Sequence, residues 1–306
     1  MMIKLSFKFL LFFFGMITFQ MWGQHANPLT EKMYYNVENA LAENKKATQL
    51  NIRDQQLFVL PEDIQRLKKL VFLNAMRNFF ESWDERLFEL KDLEVLNLKA
   101  NQFSYVPKDI SKLKKLVKLD LSDNKISKIS DEISAFKNLQ YVYLSGNSLT
   151  YLPRTIDQCK NLKVLQLDNN QLSYLPSSVA SLPSLKTLEV GYNQFHELDT
   201  EWTNIQSLER LNMEHNKLQE LPSSIGALKQ LKTLILNDNN FKEMPASFSD
   251  LKNLEMVILS GNKLTELPAN ISELQKLRTL ILTNNHFSDT EQKRIIDALP
   301  MCNVYF

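Results

Sequence analysis

Asp168, Glu189, Arg210, Glu214 and His215 are the residues of this chain whose types and spacing could do acid–base chemistry. Asp168 and Glu214 occupy the same point of a 23-residue period, one further copy of which lies between them. If each period supplies one strand of a parallel sheet, the two carboxylates stand roughly 9.6 Å apart. Paired carboxylates can divide the work of acid and base. An open sheet face, however, desolvates such a pair weakly, and Arg210 can neutralise one member, so little separates their proton affinities. No catalysis is expected from the cluster. His25, His196 and His286 fall at unrelated points of the period and form no regular metal-ligand set. The sequence has no phosphate-cradling GxxxxGK[ST] or GxGxxG run, and no cofactor is expected.

The elements that must position these side chains are copies of one stretch, Leu162 to Leu185. It places apolar residues at positions 1, 4, 6, 11, 14, 18 and 21, asparagine at 9 and proline at 15, and then begins again. Copies start near Ala47 and at Leu70, Leu93, Leu116, Leu139, Leu162, Leu185, Leu208, Leu231, Leu254 and Leu277, eleven in all. One such unit cannot bury its apolar face alone, whereas stacked units bury a continuous core. Position 9 reads Gln55 and then asparagine in every copy from Asn78 to Asn285. An asparagine carries both donors and an acceptor, so a stack of them can satisfy turn backbone that has no strand partner.

The return segments follow LPxxIxxL, as in Leu152-Pro153-Arg-Thr-Ile156, Leu221-Pro222-Ser-Ser-Ile225 and Leu267-Pro268-Ala-Asn-Ile271. Proline pre-sets φ at the start of a short helical piece. With these motifs the chain resembles the 23-residue leucine-rich repeats of the Ras-group-related type, in a bacterial secreted form, over about residues 47–287. The period and the resemblance imply an α/β leucine-rich repeat solenoid: a curved parallel β-sheet on the concave face, with short helical or irregular convex segments. Asp84, Ser130 and Asp199 stand in the proline position, and Trp83, Trp202 and Ala75 change volume at apolar ones. Exchange of volume within a packed core accounts for these departures, with a functional bulge in the Leu70 or Leu185 repeat as the alternative.

The ends differ from the array. Lys4 and Lys8 flank the start of an apolar run from Phe9 to Phe19, too short to span a bilayer, so residues 1–23 read as a secretory signal peptide. Residues 24–46 form an N-terminal cap with a short helical pattern at Tyr34, Val37 and Leu41 and Asn44 near its end. Residues 288–306 form a C-terminal cap. Ser288 and Glu291 resemble a capping box opening a helix through Leu299, after which Cys302, Val304 and Phe306 face inward on a twelfth strand. Cys159 and Cys302 lie six strand spacings apart, roughly 29 Å, and should be free, buried thiols. Net charge is +1, from 36 basic and 35 acidic residues, which excludes a global field for nucleic acid or an anionic membrane. The lysines from Lys108 to Lys128 read as a solvated flank. A secreted or periplasmic location is expected.

Within a strand, positions 4 and 6 enter the core while 3, 5 and 7 face outward on the concave surface, free to carry specificity. Three zones result. Phe72, Val95, Tyr141 and Tyr143 form an aromatic-rich strip; Asp168, Glu189, Tyr192, Arg210, Glu214 and His215 form a mixed-charge zone; Ile235, Met256, Ile258 and Ile281 form an apolar row. Such anchors on a rigid face imply a non-catalytic recognition module for a protein or peptide partner. An intracellular signalling scaffold with an uncleaved N-terminus, or the repeat domain of an enzyme-linked effector, are the alternatives.

Overall fold

The computed structural model describes residues 31–43 and 46–306. Each period is one turn of a solenoid and contributes a three-residue strand at positions 3 to 5. In chain order the strands are β1 (Met33–Tyr34), β2 (Gln49–Asn51), β3 (Phe72–Asn74), β4 (Val95–Asn97), β5 (Tyr105–Val106), β6 (Lys118–Asp120), β7 (Lys128–Ile129) and β8 (Tyr141–Tyr143). They continue as β9 (Val164–Gln166), β10 (Thr187–Glu189), β11 (Arg210–Asn212), β12 (Thr233–Ile235), β13 (Met256–Ile258), β14 (Thr279–Ile281) and β15 (Asn303–Tyr305). Thirteen of them make one parallel sheet; β5 and β7 pair separately, which the period did not foretell.

Register is locked to the repeat. Leu165 pairs with Leu188 and Leu188 with Leu211, so each strand meets the same position of its neighbour. A slip of one residue would turn every core leucine outward, which is why the register has no freedom. Leu162, Leu165, Leu167, Leu172 and Val179 of the template are all 0% exposed, and the same positions of the other copies join them in one continuous core.

The convex side is made of short 3₁₀ turns such as Arg154–Gln158 and Ser177–Ser181, preceded by Pro153 and Pro176. Where aspartate replaces proline, it caps the turn instead. Asp84 accepts the Arg86 N–H at 2.9 Å and Asp199 accepts the Glu201 N–H at 3.0 Å. A side-chain acceptor thus substitutes for a pre-set φ. The large residues are packing variants. Trp202 is 2% exposed and meets Phe195 edge-on, while Trp83 lies against Phe103 at 4.5 Å between ring centroids.

The asparagine stack is continuous. Asn170 donates to the Leu167 carbonyl at 2.9 Å and to Leu144 of the preceding repeat at 3.0 Å, and accepts the Leu149 N–H at 2.9 Å. Gln55 leaves the stack and donates to the Tyr35 carbonyl of the N-terminal segment at 2.7 Å. Position 8 is left-handed in every copy, from Asp54 at φ 60° to Asn284 at φ 57°. Glycine is needed there at 146 and 261, where a Cβ would come within 2.4 Å and 2.2 Å of the carboxylates of Asp123 and Asp238.

Several expectations about the ends change. Helix α1 (Val37–Glu43) begins after Asn36, whose side chain accepts the Asn39 N–H at 2.8 Å. Tyr34 therefore belongs to β1, which adds an unpredicted strand beside β2. Helix α2 (Asp289–Ala298) is capped by Ser288, but Glu291 reaches the Leu267 N–H rather than closing a capping box. Cys302, Val304 and Phe306 pack on the core from β15 and the chain end as partly buried residues. Both cysteines are free, and only Cys159 is fully buried; Cys302 is half-buried. The signal segment and Asn44 lie outside the described residues.

Candidate functional site

Positions 3 and 5 form two registered rows on the inner face, and position 5 has two uses. In Asn51, Asn74, Asn97, Asp120 and Asn212 the side-chain oxygen accepts the N–H two residues ahead, at 3.0 to 3.3 Å. These side chains complete the turn that ends their own strand. They are not the free specificity positions expected from alternation alone.

Where position 5 is Tyr143, Gln166 or Glu189, the turn makes no such demand and the face becomes distinctive. The Lys118 ammonium lies 4.9 Å from the Tyr143 ring centroid, a cation–π contact. Burial lowers the Lys118 pKa, and burial with the charge of Asp120 pushes the Tyr143 phenol up to about 12. Tyr141 stands on the same strand as Tyr143 and is half-buried; Phe72 and Val95, also half-buried, lie on β3 and β4, with β6 between β4 and the tyrosine pair.

In the middle of the sheet Glu189 is 6% exposed and bonded to the Arg210 guanidinium. Asp168 accepts the Gly191 N–H at 2.9 Å and the Ser145 hydroxyl at 3.3 Å. Burial and the neighbouring Glu189 push its carboxyl up to about 7. The expectation of weak desolvation is therefore wrong at this residue. Its cause lies in Gly191: a Cβ there would come within 2.9 Å of Glu214 Cγ and 3.2 Å of Asp168 Oδ1, so the missing side chain lets both acids close over the strand end. Asn212 donates to Glu214 Oε1 at 3.2 Å. Tyr192 stacks on His215 with 4.1 Å between centroids, and His215 Nε2 lies 3.0 Å from Asp238 Oδ2. A ligand meeting this zone would find hydrogen-bonded acids beside an exposed aromatic edge.

The apolar row is less open than expected. Ile235 is 3% exposed, and Met256, Ile258 and Ile281 are half-buried. Registered side chains stack at about 4.8 Å along the sheet and shade one another. Among the expected site residues only Tyr192 and His215 are exposed.

Further exposed aromatics lie off the sheet. Phe58, Phe79, Tyr105, Tyr151 and Tyr174 are 69%, 40%, 45%, 37% and 58% exposed, all between positions 10 and 13, on the edge that follows the strands. Phe58 and Phe79 touch, with centroids 5.2 Å apart. Reading position 13 down the copies would have found three of them, since Tyr105, Tyr151 and Tyr174 share it. Alternation within strands directs attention to the sheet and passes over this edge.

The repeating geometry agrees with known sequence families. The family described as "Leucine-rich repeat region" matches residues 210–300, and "Leucine rich repeat" matches residues 69–126 and 114–172. The chain is a leucine-rich repeat protein. A search of the curated proteins gave no match to it. Among solved structures, this leucine-rich repeat chain is similar to a TDR receptor, with 28% identity and a TM-score of 0.77 over 90% of this chain and 49% of that one. It is similar to the leucine-rich repeat ectodomain of the membrane receptor kinase GASSHO1/SCHENGEN3 from Arabidopsis thaliana, in complex with Casparian strip integrity factor 2. There the identity is 27% and the TM-score 0.68, over 80% of this chain and 30% of that one. The functional domain of InlJ from Listeria monocytogenes shares the fold, with 24% identity and a TM-score of 0.71 over 85% of this chain and 53% of that one. The chain thus spans about half, or less, of the length of these three structures.

Proposed function

We propose that this leucine-rich repeat protein is an exported, non-catalytic recognition module that binds a protein or peptide across its inner sheet face. The carrying observation is the change of use at position 5. From Tyr143 onward most of the row is released from turn duty, and the aromatic pair Tyr141–Tyr143 adjoins the hydrogen-bonded acids around Gly191. A rigid face with aromatic anchors beside polar groups is what a peptide partner needs to be held without reorganising the sheet. The plant receptor ectodomain that this chain resembles is itself seen in complex with an integrity factor, which supports the reading.

In this proposal the repeats are of the Ras-group-related bacterial type, residues 1–23 are a signal peptide, residues 24–46 and 288–306 cap the array of residues 47–287, and the mature protein is secreted or periplasmic. N-terminal sequencing of the native protein checks the export step, with a start near Gln24 expected and an intact Met1 in the cytoplasm against it. For the binding face, immobilised parent and a Tyr141→Ala/Tyr143→Ala/Ile258→Ser variant are compared for capture from the native compartment. Loss of the captured partner is expected; a variant that is folded and retains every partner sinks the inner-face site.

A further inference from the structure

Charges on the outside of the solenoid are commonly balanced by a neighbouring repeat. Lys69 and Lys115 share Asp92, Lys186 and Lys232 share Glu209, and Lys252 meets Glu273. Two rows break this habit. At position 13 four consecutive copies carry the exposed Glu197, Glu220, Glu243 and Glu266. At position 22 three consecutive copies carry the exposed Lys91, Lys114 and Lys137, and the row continues to Lys68 and Lys160 at its ends. Among the described residues neither the four carboxylates nor the three central ammonium groups enter an ion pair, although Lys68 at the end of the lysine row meets Glu89, and Lys252, at the same position of a later copy, meets Glu273. Like charges in successive copies repel, and no partner within the described residues offsets that cost for the four glutamates or the three central lysines.

The rows lie on opposite edges. All strands run parallel, position 13 follows the end of a strand, and position 22 precedes the start of the next. Each row advances by one residue per repeat, and the two are opposite in sign. The acidic row also runs directly into Tyr174, which holds position 13 in the preceding copy and is 58% exposed.

We propose that the lysine edge of one copy docks along the glutamate edge of a second copy. Lys91, Lys114 and Lys137 meet successive carboxylates, and the next lysine in the row comes over the Tyr174 ring, where a cation is favoured. Individual surface pairs are weak and screened by salt, so the contact forms at low ionic strength and high local concentration. Because two different edges meet, the contact is heterologous and propagates from copy to copy instead of closing as a dimer.

Sedimentation velocity on the purified native protein tests this over a concentration series at about 20 mM and about 500 mM salt. The average mass is expected to rise past that of a dimer at low salt and to return to the monomer at high salt. Glu197→Lys/Glu220→Lys/Glu243→Lys/Glu266→Lys and Lys91→Glu/Lys114→Glu/Lys137→Glu should each stay monomeric alone and associate when mixed. Replacing the four glutamates by glutamine, which keeps shape and avoids new repulsion, should weaken association at least tenfold; circular dichroism melting reports whether each variant is folded. A parent that stays monomeric at low salt, a plateau at dimer, a glutamine variant that associates like the parent, or folded reversal variants that fail to associate when mixed would each overturn the proposal. Inner-face variants such as Tyr143→Ala should associate like the parent, which separates this contact from the recognition face.

Discussion

The first four repeats and the middle of the array use one position differently. At Asn51, Asn74, Asn97 and Asp120 the position-5 side chain is committed to its own turn. At Tyr143 and Gln166 it is released from the turn and half-buried on the face, and at Glu189 it is released but buried, paired with Arg210 from the next strand. Asn212 then returns to turn duty within the second half. The difference teaches that facing outward is not the same as being available. A repeat offers a ligand only those outward positions that its backbone does not already occupy.

The largest expected effect concerns pH. The Asp168 carboxyl is raised to about 7 in the folded chain, so between about pH 4 and 7 the folded state holds a proton that the unfolded state has released. Stability should therefore fall as pH rises through that window, by about 2 kcal/mol after allowance for residual solvent. Asp168→Asn should remove most of this slope and be the more stable form at about pH 8, as urea melts of both proteins would reveal. An unchanged slope would mean that the middle zone is no more desolvated than the first repeats.

Next in size is Asn74→Ala, which leaves the Met76 N–H without its acceptor at a position only 8% exposed. A loss of about 1–2 kcal/mol is expected, with partner capture intact; loss of capture without loss of stability would erase the distinction between the two regions. The smallest shift is expected for Tyr192→Gly. Relief of φ 52° gains about 1 kcal/mol, and loss of the ring stacked on His215 costs a similar amount, so the melting temperature should barely move while capture weakens.

Much of the fold was legible because its determinants recur at fixed spacing. The leucines of positions 1, 4 and 6 declare a core, and the asparagines of position 9 declare where turns must be satisfied. The cap at Asn36 was also present in the sequence, but Tyr34 fell into the same helical spacing as Val37 and Leu41 and drew the helix too far forward. The site was less legible because it depends on residues one copy away. Asp168 is shaped by Ser145 before it and by Gly191 and Glu189 after it, and a glycine announces no interaction of its own. Ile235 alternates outward as expected, yet it is only 3% exposed.

The fixed register has a consequence for how such a gene can change. From β2 to β14 every pairing spans one repeat, whereas β1 meets β2, and β14 meets β15, at other separations. Recombination between two internal copies would rejoin strand to strand and asparagine to asparagine, lengthening or shortening the solenoid without creating an unfamiliar seam. A crossover involving β1 or β15 would instead join strands at a separation the repeat does not use. The interior is thus extensible in whole units of one repeat.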